Sequence, residues 1–259
     1  MNIKTETFFL IAGPCVVESE ELCFEVAEQL KNITSELNIP FVFKASYKKA
    51  NRSKLNAFTT IGEEKALQIL ANIKSKLEIP ILTDVHETTD CDKVKDIVDV
   101  IQIPAFLCRQ TELLIAAGKT GKIVNIKKGQ FVNAEMMRFA AEKISSTNNK
   151  NIWLTERGTQ FGYQDLIVDF RNIQLMKQFG FPVIFDATHS VQQPNQSAGV
   201  SGGKPEFIET LAKCAIVSGV DGIFLETHPN PSQALSDGAN MLPLNEVKSL
   251  LEKLIILKK

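Results

Sequence analysis

Residues 8–15 read FFLIAGPC, an apolar run with a cysteine three positions after its end. The same arrangement recurs along the chain, because each short apolar run is followed by a reactive or charged side chain. The runs lie at 8–12, 41–43, 81–83, 100–103, 123–126, 152–155, 183–185 and 223–225. Short apolar runs of this kind are typical of parallel strands, whose carboxyl ends carry the chemistry of α/β proteins.

Segments with helical spacing of apolar residues follow these runs. They cover 20–37, 63–77, 90–98, 111–119, 133–144, 171–179, 204–218 and 245–257. Eightfold alternation of strand and helix predicts an α/β fold, a single-domain (β/α)8 TIM barrel over residues 1–259. The alternative is an open doubly wound sheet, which normally carries a glycine-rich phosphate loop after its first strand. Gly13-Pro14-Cys15 stands at that place instead.

The composition is that of an ordinary globular protein, with 44% hydrophobic and 23% charged residues among 259. A net charge of −1 predicts neither nucleic acid nor a membrane surface as partner. No apolar stretch approaches the roughly 20 residues of a membrane span, and no secretory pattern precedes the first strand, so we expect a cytoplasmic protein. The five widely spaced cysteines predict reduced thiols.

Four candidate metal ligands follow strands that are neighbours in a closed barrel. Cys15 follows the first strand, His189 the seventh and Glu226 the eighth, while Asp237 lies in the loop beyond. A thiolate, an imidazole and two carboxylates suit a divalent ion such as Zn, Fe or Mn. The alternative is that the cysteine only packs in the core and the histidine only forms hydrogen bonds.

Basic residues also gather after the strands and predict an anion site. These are Lys44, Lys49, Arg52, Arg109, Lys127, Lys128 and Arg157. Alternatively, Lys44 and Lys127 pair with Glu156, Asp84 or Asp186 in a ring of charges. His86 is a candidate proton carrier or sugar-hydroxyl partner, or a structural histidine. The polar stretch 192–204, which contains Gly199, is a candidate lid or a disordered connector.

From about residue 9 to residue 254, the chain closely resembles the 3-deoxy-D-manno-octulosonate 8-phosphate synthases. The matching stretches are AGPC at 12–15, FKAS at 43–46, KANRS at 49–53, TDVHE at 83–87, QIPAFLCRQ at 102–110, NIKKGQF at 125–131, TERGT at 155–159, DATHSVQ at 186–192 and ETHP at 226–229. The resemblance implies a TIM barrel, usually a homotetramer. It implies condensation of phosphoenolpyruvate with D-arabinose 5-phosphate and water, a step of KDO and lipopolysaccharide biosynthesis.

The resemblance also assigns roles to residues. It implies a phosphoenolpyruvate site of Lys44, Ser46, Lys49, Gln102, Lys127 and Arg157. It implies an arabinose 5-phosphate site of Asn51, Arg52 and Ser53, with Pro104 and Phe106 lining the pocket. Arg52 and Ser53 are expected to come from a neighbouring subunit. The residues expected to take part in catalysis are Lys44, His86, Lys127, Arg157 and Asp237.

Synthases of this kind fall into a metal-dependent class with a cysteine ligand and a class with Asn in its place. Cys15 therefore implies the metal-dependent class, with His189, Glu226 and Asp237 as the other ligands. Lys48 stands where an Asp is usual, so we expect a more positive pocket. The nearest alternative is a related synthase that uses erythrose 4-phosphate and typically has Lys-Pro-Arg-Thr after the second strand. A non-catalytic sugar-phosphate-binding protein is the alternative from another class.

Overall fold

The computed structural model describes residues 3, 5, 7–162, 165–194, 196 and 201–258. Eight parallel strands form a closed barrel. They are β1 Phe9–Gly13, β2 Phe41–Lys44, β3 Ile81–Asp84, β4 Val100–Ile103, β5 Ile123–Lys127, β6 Ile152–Glu156, β7 Val183–Asp186 and β8 Gly222–His228. Each strand pairs with the next, and β8 pairs with β1, with Phe9 opposite Gly222 and Gly13 opposite Glu226. The predicted TIM barrel is confirmed.

The helices on the outside of the barrel are close to those predicted. They are α1 Glu20–Glu36, α2 Glu63–Leu77, α3 Thr88–Val94, α4 Thr111–Lys119, α5 Met136–Ser145, α6 Arg171–Lys177, α7 Ile208–Val217 and α8 Val247–Lys258. The prediction for α3 began two residues late, because Glu87 and Asp90 form a capping box that starts the helix earlier. None of the helices in the described part of the chain is both long and apolar enough to span a bilayer.

Most strands run slightly further than the apolar pattern predicted, and five of them end on buried lysine or carboxylate side chains. Lys44, Asp84, Lys127, Glu156 and Asp186 are the last residues of their strands, and all five are buried. These side chains therefore belong to the rigid sheet and not to the loops that follow it. This placement favours a site with fixed geometry at the carboxyl end of the barrel.

The interior of the barrel is filled by apolar side chains below this polar layer. The inner cluster consists of Phe9, Ile11, Val42, Leu82, Val100, Trp153, Ile184 and Phe224. A second and larger apolar cluster lies between the sheet and the helices. The inner cluster closes the barrel towards its amino end, as expected for an eight-stranded barrel.

Gly13 allows the carboxyl ends of β1 and β2 to approach each other. A Cβ built on Gly13 would lie 2.1 Å from the carbonyl oxygen of Lys44. No side chain fits at that distance, so the close approach requires glycine. The approach brings the carbonyl oxygen of Cys15 to within 2.9 Å of the Lys44 ammonium group.

Candidate active site

A cavity of about 780 Å³ opens at the carboxyl ends of the strands. The predicted site residues that line it are Lys44, Lys49, Asn51, Arg52, Ser53, His86, Gln102, Pro104, Phe106, Lys127, Arg157, His189, Glu226 and Asp237. Cys15 and Ser46 are completely buried, in contact with Asp237 and Asp84, which line the cavity. The barrel thus brings the predicted site residues together.

Two lysines at the base of the cavity form buried ion pairs. Lys44 Nζ donates to Glu226 Oε1 at 2.6 Å, and Lys127 Nζ donates to Asp186. The alternative of a charge ring therefore holds for Lys127 and Asp186. Lys44 instead pairs with Glu226, a candidate metal ligand. Burial lowers the pKa of Lys127, although the Asp186 carboxylate acts against this effect.

Three of the four candidate metal ligands form a compact group. Sγ of Cys15 and one carboxylate oxygen each of Glu226 and Asp237 lie within 4.8 Å of one another. Glu226 Oε2 is buried without a hydrogen-bond partner among the described residues. Burial, and then the charges of Asp237 and Glu226, raise the pKa of the Cys15 thiol. A thiol and two carboxylates at this spacing fit a divalent cation. The unpartnered oxygen of Glu226 is consistent with such a ligand role.

His189 lies beside this group but outside the set of atoms that share the 4.8 Å limit. Its Nε2 atom is 3.5 Å from Glu226 Oε2, and its Nδ1 atom is 2.8 Å from Asp186 Oδ2. With the Nδ1 proton directed at the Asp186 carboxylate, Nε2 keeps a free lone pair on the side of the metal donors. Asp186 therefore orients the imidazole, a role that sequence analysis missed because it placed Asp186 only in a charge ring.

Asp237 has a left-handed backbone, with a φ of 53°. Aspartate tolerates this conformation better than most residues do. Asp237 Oδ1 is 3.3 Å from Nε2 of Gln192, whose Oε1 in turn accepts from Arg157 Nη2 at 2.9 Å. Gln192 thus links the metal donors to the predicted anion site. Its only signal in the sequence was its place at the end of the DATHSVQ stretch.

Two guanidinium groups keep open donors at the cavity. Arg157 Nη1 and Arg52 Nη2 are both buried and have no hydrogen-bond partner among the described residues. A buried arginine with an unused N–H group suits a phosphate or carboxylate, which accepts such donors in pairs. Both arginines line the same cavity, which therefore offers two places for anionic groups.

Asp84 organises the side chains between these two places. It accepts hydrogen bonds from Ser46 Oγ and Gln102 Nε2, and Lys49 Nζ lies 3.9 Å from its Oδ2 atom. Burial opposes the ionisation of Asp84, but the charges of Lys44 and Lys49 outweigh it and hold its pKa well below the usual range. Asp84 is thus a charged group of the site that was not among the predicted site residues.

His86 lines the cavity with its Nδ1 atom buried and without a partner in the described part of the chain. Burial lowers the pKa of His86, although the Asp84 carboxylate acts in the opposite direction. The neutral imidazole is therefore favoured near neutral pH, with one donor and one acceptor for a polar ligand.

Arg52 and Ser53 line the cavity of their own chain. The expectation that a neighbouring subunit supplies these two residues stays a prediction. Within the loop after β2, Arg52 Nε donates to the carbonyl oxygen of Phe58 at 2.9 Å, which restrains the arginine side chain.

Three of the predicted cations do not add to the charge of the cavity as expected. Arg109 and Lys128 are absent from its lining. Lys48 donates to Glu63 Oε1 at 3.2 Å and to Asp90 Oδ1 at 3.0 Å. The expectation that Lys48 makes the pocket more positive is therefore wrong, because two carboxylates compensate its charge.

The candidate lid at 192–204 is only partly described. Gln192–Gln193 pairs in antiparallel fashion with Gly202–Gly203, and Gln192, Pro194 and Ser201 line the cavity. Residues 195 and 197–200, including Gly199, lie outside the described residues. The lid assignment therefore stays a prediction.

Comparison with known proteins identifies relatives over nearly the whole chain. Residues 3–259 match the model of the DAHP synthetase I family. Three similar proteins carry the name 2-dehydro-3-deoxyphosphooctonate aldolase. That of Dichelobacter nodosus is 53% identical over 95% of this chain and 89% of its own length. That of Trichlorobacter lovleyi is 51% identical over 95% of this chain and 90% of its own length. That of Koribacter versatilis is 51% identical over 98% of this chain and 92% of its own length.

Proposed function

Because the chain belongs to the DAHP synthetase I family, we propose that it is a transferase that condenses phosphoenolpyruvate with D-arabinose 5-phosphate and water. The products are 3-deoxy-D-manno-octulosonate 8-phosphate and inorganic phosphate, in KDO and lipopolysaccharide biosynthesis. The relatives named for the phosphooctonate product favour this reaction over the one with erythrose 4-phosphate. The observation that carries the proposal is a single cavity with two open guanidinium donors beside three grouped metal donors.

Phosphoenolpyruvate binds at the base of the cavity in this proposal. Arg157 offers an open N–H group. Lys44, Lys49 and Lys127 line the same cavity, each beside a carboxylate that offsets part of its charge. Ser46 and Gln102 are held in place by Asp84. Anchoring both anionic ends of the substrate fixes the face of its double bond, which is catalysis by positioning.

Arabinose 5-phosphate binds nearer the mouth. Asn51, Arg52 and Ser53 receive its phosphate, and Pro104 and Phe106 form a wall of the pocket. His86 also lines the cavity, and in this proposal its neutral imidazole bonds a sugar hydroxyl group. The aldehyde end of the sugar then points towards the enol double bond.

The reaction joins two carbon atoms and releases phosphate. C3 of phosphoenolpyruvate attacks the aldehyde carbon, and the oxygen of water forms a bond with C2. The aldehyde oxygen takes up a proton, which balances the proton lost by the water. The resulting hemiketal phosphate breaks its bond between C2 and the phosphate oxygen, which gives the keto sugar acid and inorganic phosphate.

Cys15, Glu226 and Asp237, with His189 beside them, are the residues that would hold a divalent cation such as Zn, Fe or Mn. When bound, such an ion supplies Lewis acidity to an oxygen of the aldehyde or of water. Lys44 neutralises part of the carboxylate charge through its bond to Glu226, and Asp186 orients the imidazole of His189.

We propose further that the enzyme is a cytoplasmic homotetramer. The resemblance to tetrameric synthases supports the assembly, and the five free thiols accord with a reducing compartment. Light scattering of the purified protein tests the assembly, and a monomer under assay conditions would contradict it.

Phosphate release tests the proposed reaction directly. The enzyme is mixed with phosphoenolpyruvate and either arabinose 5-phosphate or erythrose 4-phosphate, before and after treatment with a chelator. We expect release with the pentose phosphate, loss of activity in the chelator, and recovery with Mn, Fe or Zn. Preference for erythrose 4-phosphate would favour the alternative synthase. If no phosphate is released with either sugar phosphate, the result would favour a non-catalytic binding protein. Full activity without metal would reject the metal-dependent class.

A further inference from the structure

Lys128 is a completely buried lysine that lies next to Lys127 but takes no part in lining the cavity. Its ammonium nitrogen lies 3.3 Å from the carbonyl oxygens of Gly129, Val132 and Gly158. It also lies 3.0 Å from Thr159 Oγ1. A lysine without access to water is costly unless acceptors surround it, and these atoms supply them.

Glu156 is the equally buried acid opposite Lys128, with Oε1 3.4 Å from the ammonium nitrogen. The same oxygen accepts from the backbone N–H of Arg157 at 2.9 Å and of Gly158 at 2.7 Å. The second oxygen accepts from Asn172 Nδ2 at 2.9 Å. The carboxylate therefore holds the first turn after β6 by its backbone.

The two partners lie at the carboxyl ends of neighbouring strands, and each is adjacent in sequence to a residue that lines the cavity. Lys128 directly follows Lys127 at the end of β5, and Glu156 directly precedes Arg157 at the end of β6. The loops after these strands are joined by the ammonium group of Lys128. One further hydrogen bond runs from the Gln160 N–H to the Gln130 carbonyl oxygen, at 2.9 Å.

We propose that Lys128 and Glu156 are a positioning pair that fixes the Arg157 guanidinium for the anionic end of phosphoenolpyruvate. The inference rests on the proposed role of Arg157 in the reaction. Neither partner touches substrate. The pair positions Arg157 through its backbone. Glu156 accepts from the N–H groups of Arg157 and Gly158, and Lys128 donates to the carbonyl oxygen of Gly158.

Gly158 explains why this turn needs such support. It has a φ of 88°. Glycine adopts this conformation freely, but it adopts many others as readily, so glycine alone does not fix the turn. Its N–H and C=O groups are both bound by the pair. Without these bonds the turn loses part of its backbone restraint, and the direction of Arg157 then depends more on its side-chain bond to Gln192.

The experiment measures phosphoenolpyruvate binding by calorimetry in wild type, Lys128→Met, Glu156→Gln, Arg157→Ala and the double variant Lys128→Met/Arg157→Ala. We expect Lys128→Met to raise the Kd for phosphoenolpyruvate by about tenfold or more, since small misplacements of an anchor have effects of this size. The KM for arabinose 5-phosphate should change less than about twofold. In the Arg157→Ala background, the effect of Lys128→Met on the Kd should disappear.

Lys74→Met is the matched control, because Lys74 pairs with Asp99 at the amino end of the barrel, at 2.9 Å. It should leave the Kd for phosphoenolpyruvate unchanged. If Lys128→Met does not fold, Glu156→Gln and the milder Thr159→Val, which removes one acceptor of the ammonium group, must raise the same Kd.

Two outcomes overturn the inference in distinguishable ways. In the first, the effects of Lys128→Met and Arg157→Ala on the Kd for phosphoenolpyruvate are additive, or Lys128→Met changes this Kd and the KM for arabinose 5-phosphate equally. Either result shows a general structural role for Lys128 and rejects the positioning pair without rejecting the proposed role of Arg157. An unchanged Kd in Arg157→Ala rejects the proposed role of Arg157, and the inference falls with it.

Discussion

At the residue scale, Cys15 is the side chain on which metal binding depends most. Its thiol is buried, and burial together with the nearby carboxylates raises its pKa, so the thiolate needs a cation for stability. We predict that Cys15→Ala purifies with little or no bound divalent metal and without activity. Ser236→Ala, which removes the hydroxyl 2.8 Å from the sulfur, should keep the metal. Elemental analysis of both variants checks this, and full metal content in Cys15→Ala would falsify it.

The sequence indicated which residues lie near the site, but it did not indicate the direction in which each side chain points. Lys127 and Lys128 are adjacent in the chain, but only the first lines the cavity. Successive side chains of a strand point to opposite sides, so the direction of each depends on where the strand ends. The apolar pattern ended β5 at residue 126, whereas the strand extends to Lys127. The charge of Lys48 could not be assessed from sequence either, because Glu63 and Asp90 are distant in the chain.

At the element scale, the contact between β1 and β2 fixes the distance between the metal donors and the lysines. We predict that Gly13→Ala lowers stability by about 1–3 kcal/mol, because a Cβ at 2.1 Å from the Lys44 carbonyl oxygen pushes the strands apart. Activity should fall with it. Gly202→Ala, whose Cβ would meet its nearest neighbour at an ordinary 3.5 Å, is the control. Thermal unfolding and phosphate release are measured for both, and equal behaviour would contradict the prediction.

Helices and strands were predicted best where the spacing of apolar residues was regular. Their ends were predicted best where a typical capping residue stands in the sequence. Ser19 directly precedes α1, where serine is a preferred cap, and its hydroxyl accepts from the Leu22 N–H at 3.1 Å. The capping by Glu87 was not predicted, since glutamate is a poor N-cap by preference. β8 extends to His228 because Thr227 and His228 pair with Leu242 and Pro243, a contact with a later loop.

At the scale of the whole molecule, buried carboxylates make stability depend on acid pH. Burial alone would raise the pKa of Asp90, but hydrogen bonds from the His86 N–H and from Lys48 lower it to about 2. The pKa values of Asp84 and Asp186 also lie well below the usual range, because lysines and His189 outweigh the effect of burial. The unfolded chain therefore binds more protons, and stability is lost as pH falls below about 5.

We predict that the free energy of unfolding falls steeply between about pH 4 and about pH 2, by up to about 1.4 kcal/mol per pH unit for each such carboxylate. Asp90→Asn should be less stable than wild type at neutral pH and should show a shallower decline in acid. Urea unfolding at several pH values measures both quantities. Parallel pH curves for the two proteins would show that Asp90 does not contribute.

The apolar cluster inside the barrel has a consequence for the order of events. The chamber above it opens at the carboxyl ends of the strands. Lys44, Gln102 and Lys127 lie deep, at 1–5% exposure, while Phe106 at the mouth is 56% exposed. A ligand seated on the deep groups is covered by one seated at the mouth. With the proposed substrate sites, we expect phosphoenolpyruvate to enter before the sugar phosphate, and a product held by the deep groups to leave only after the mouth is vacated.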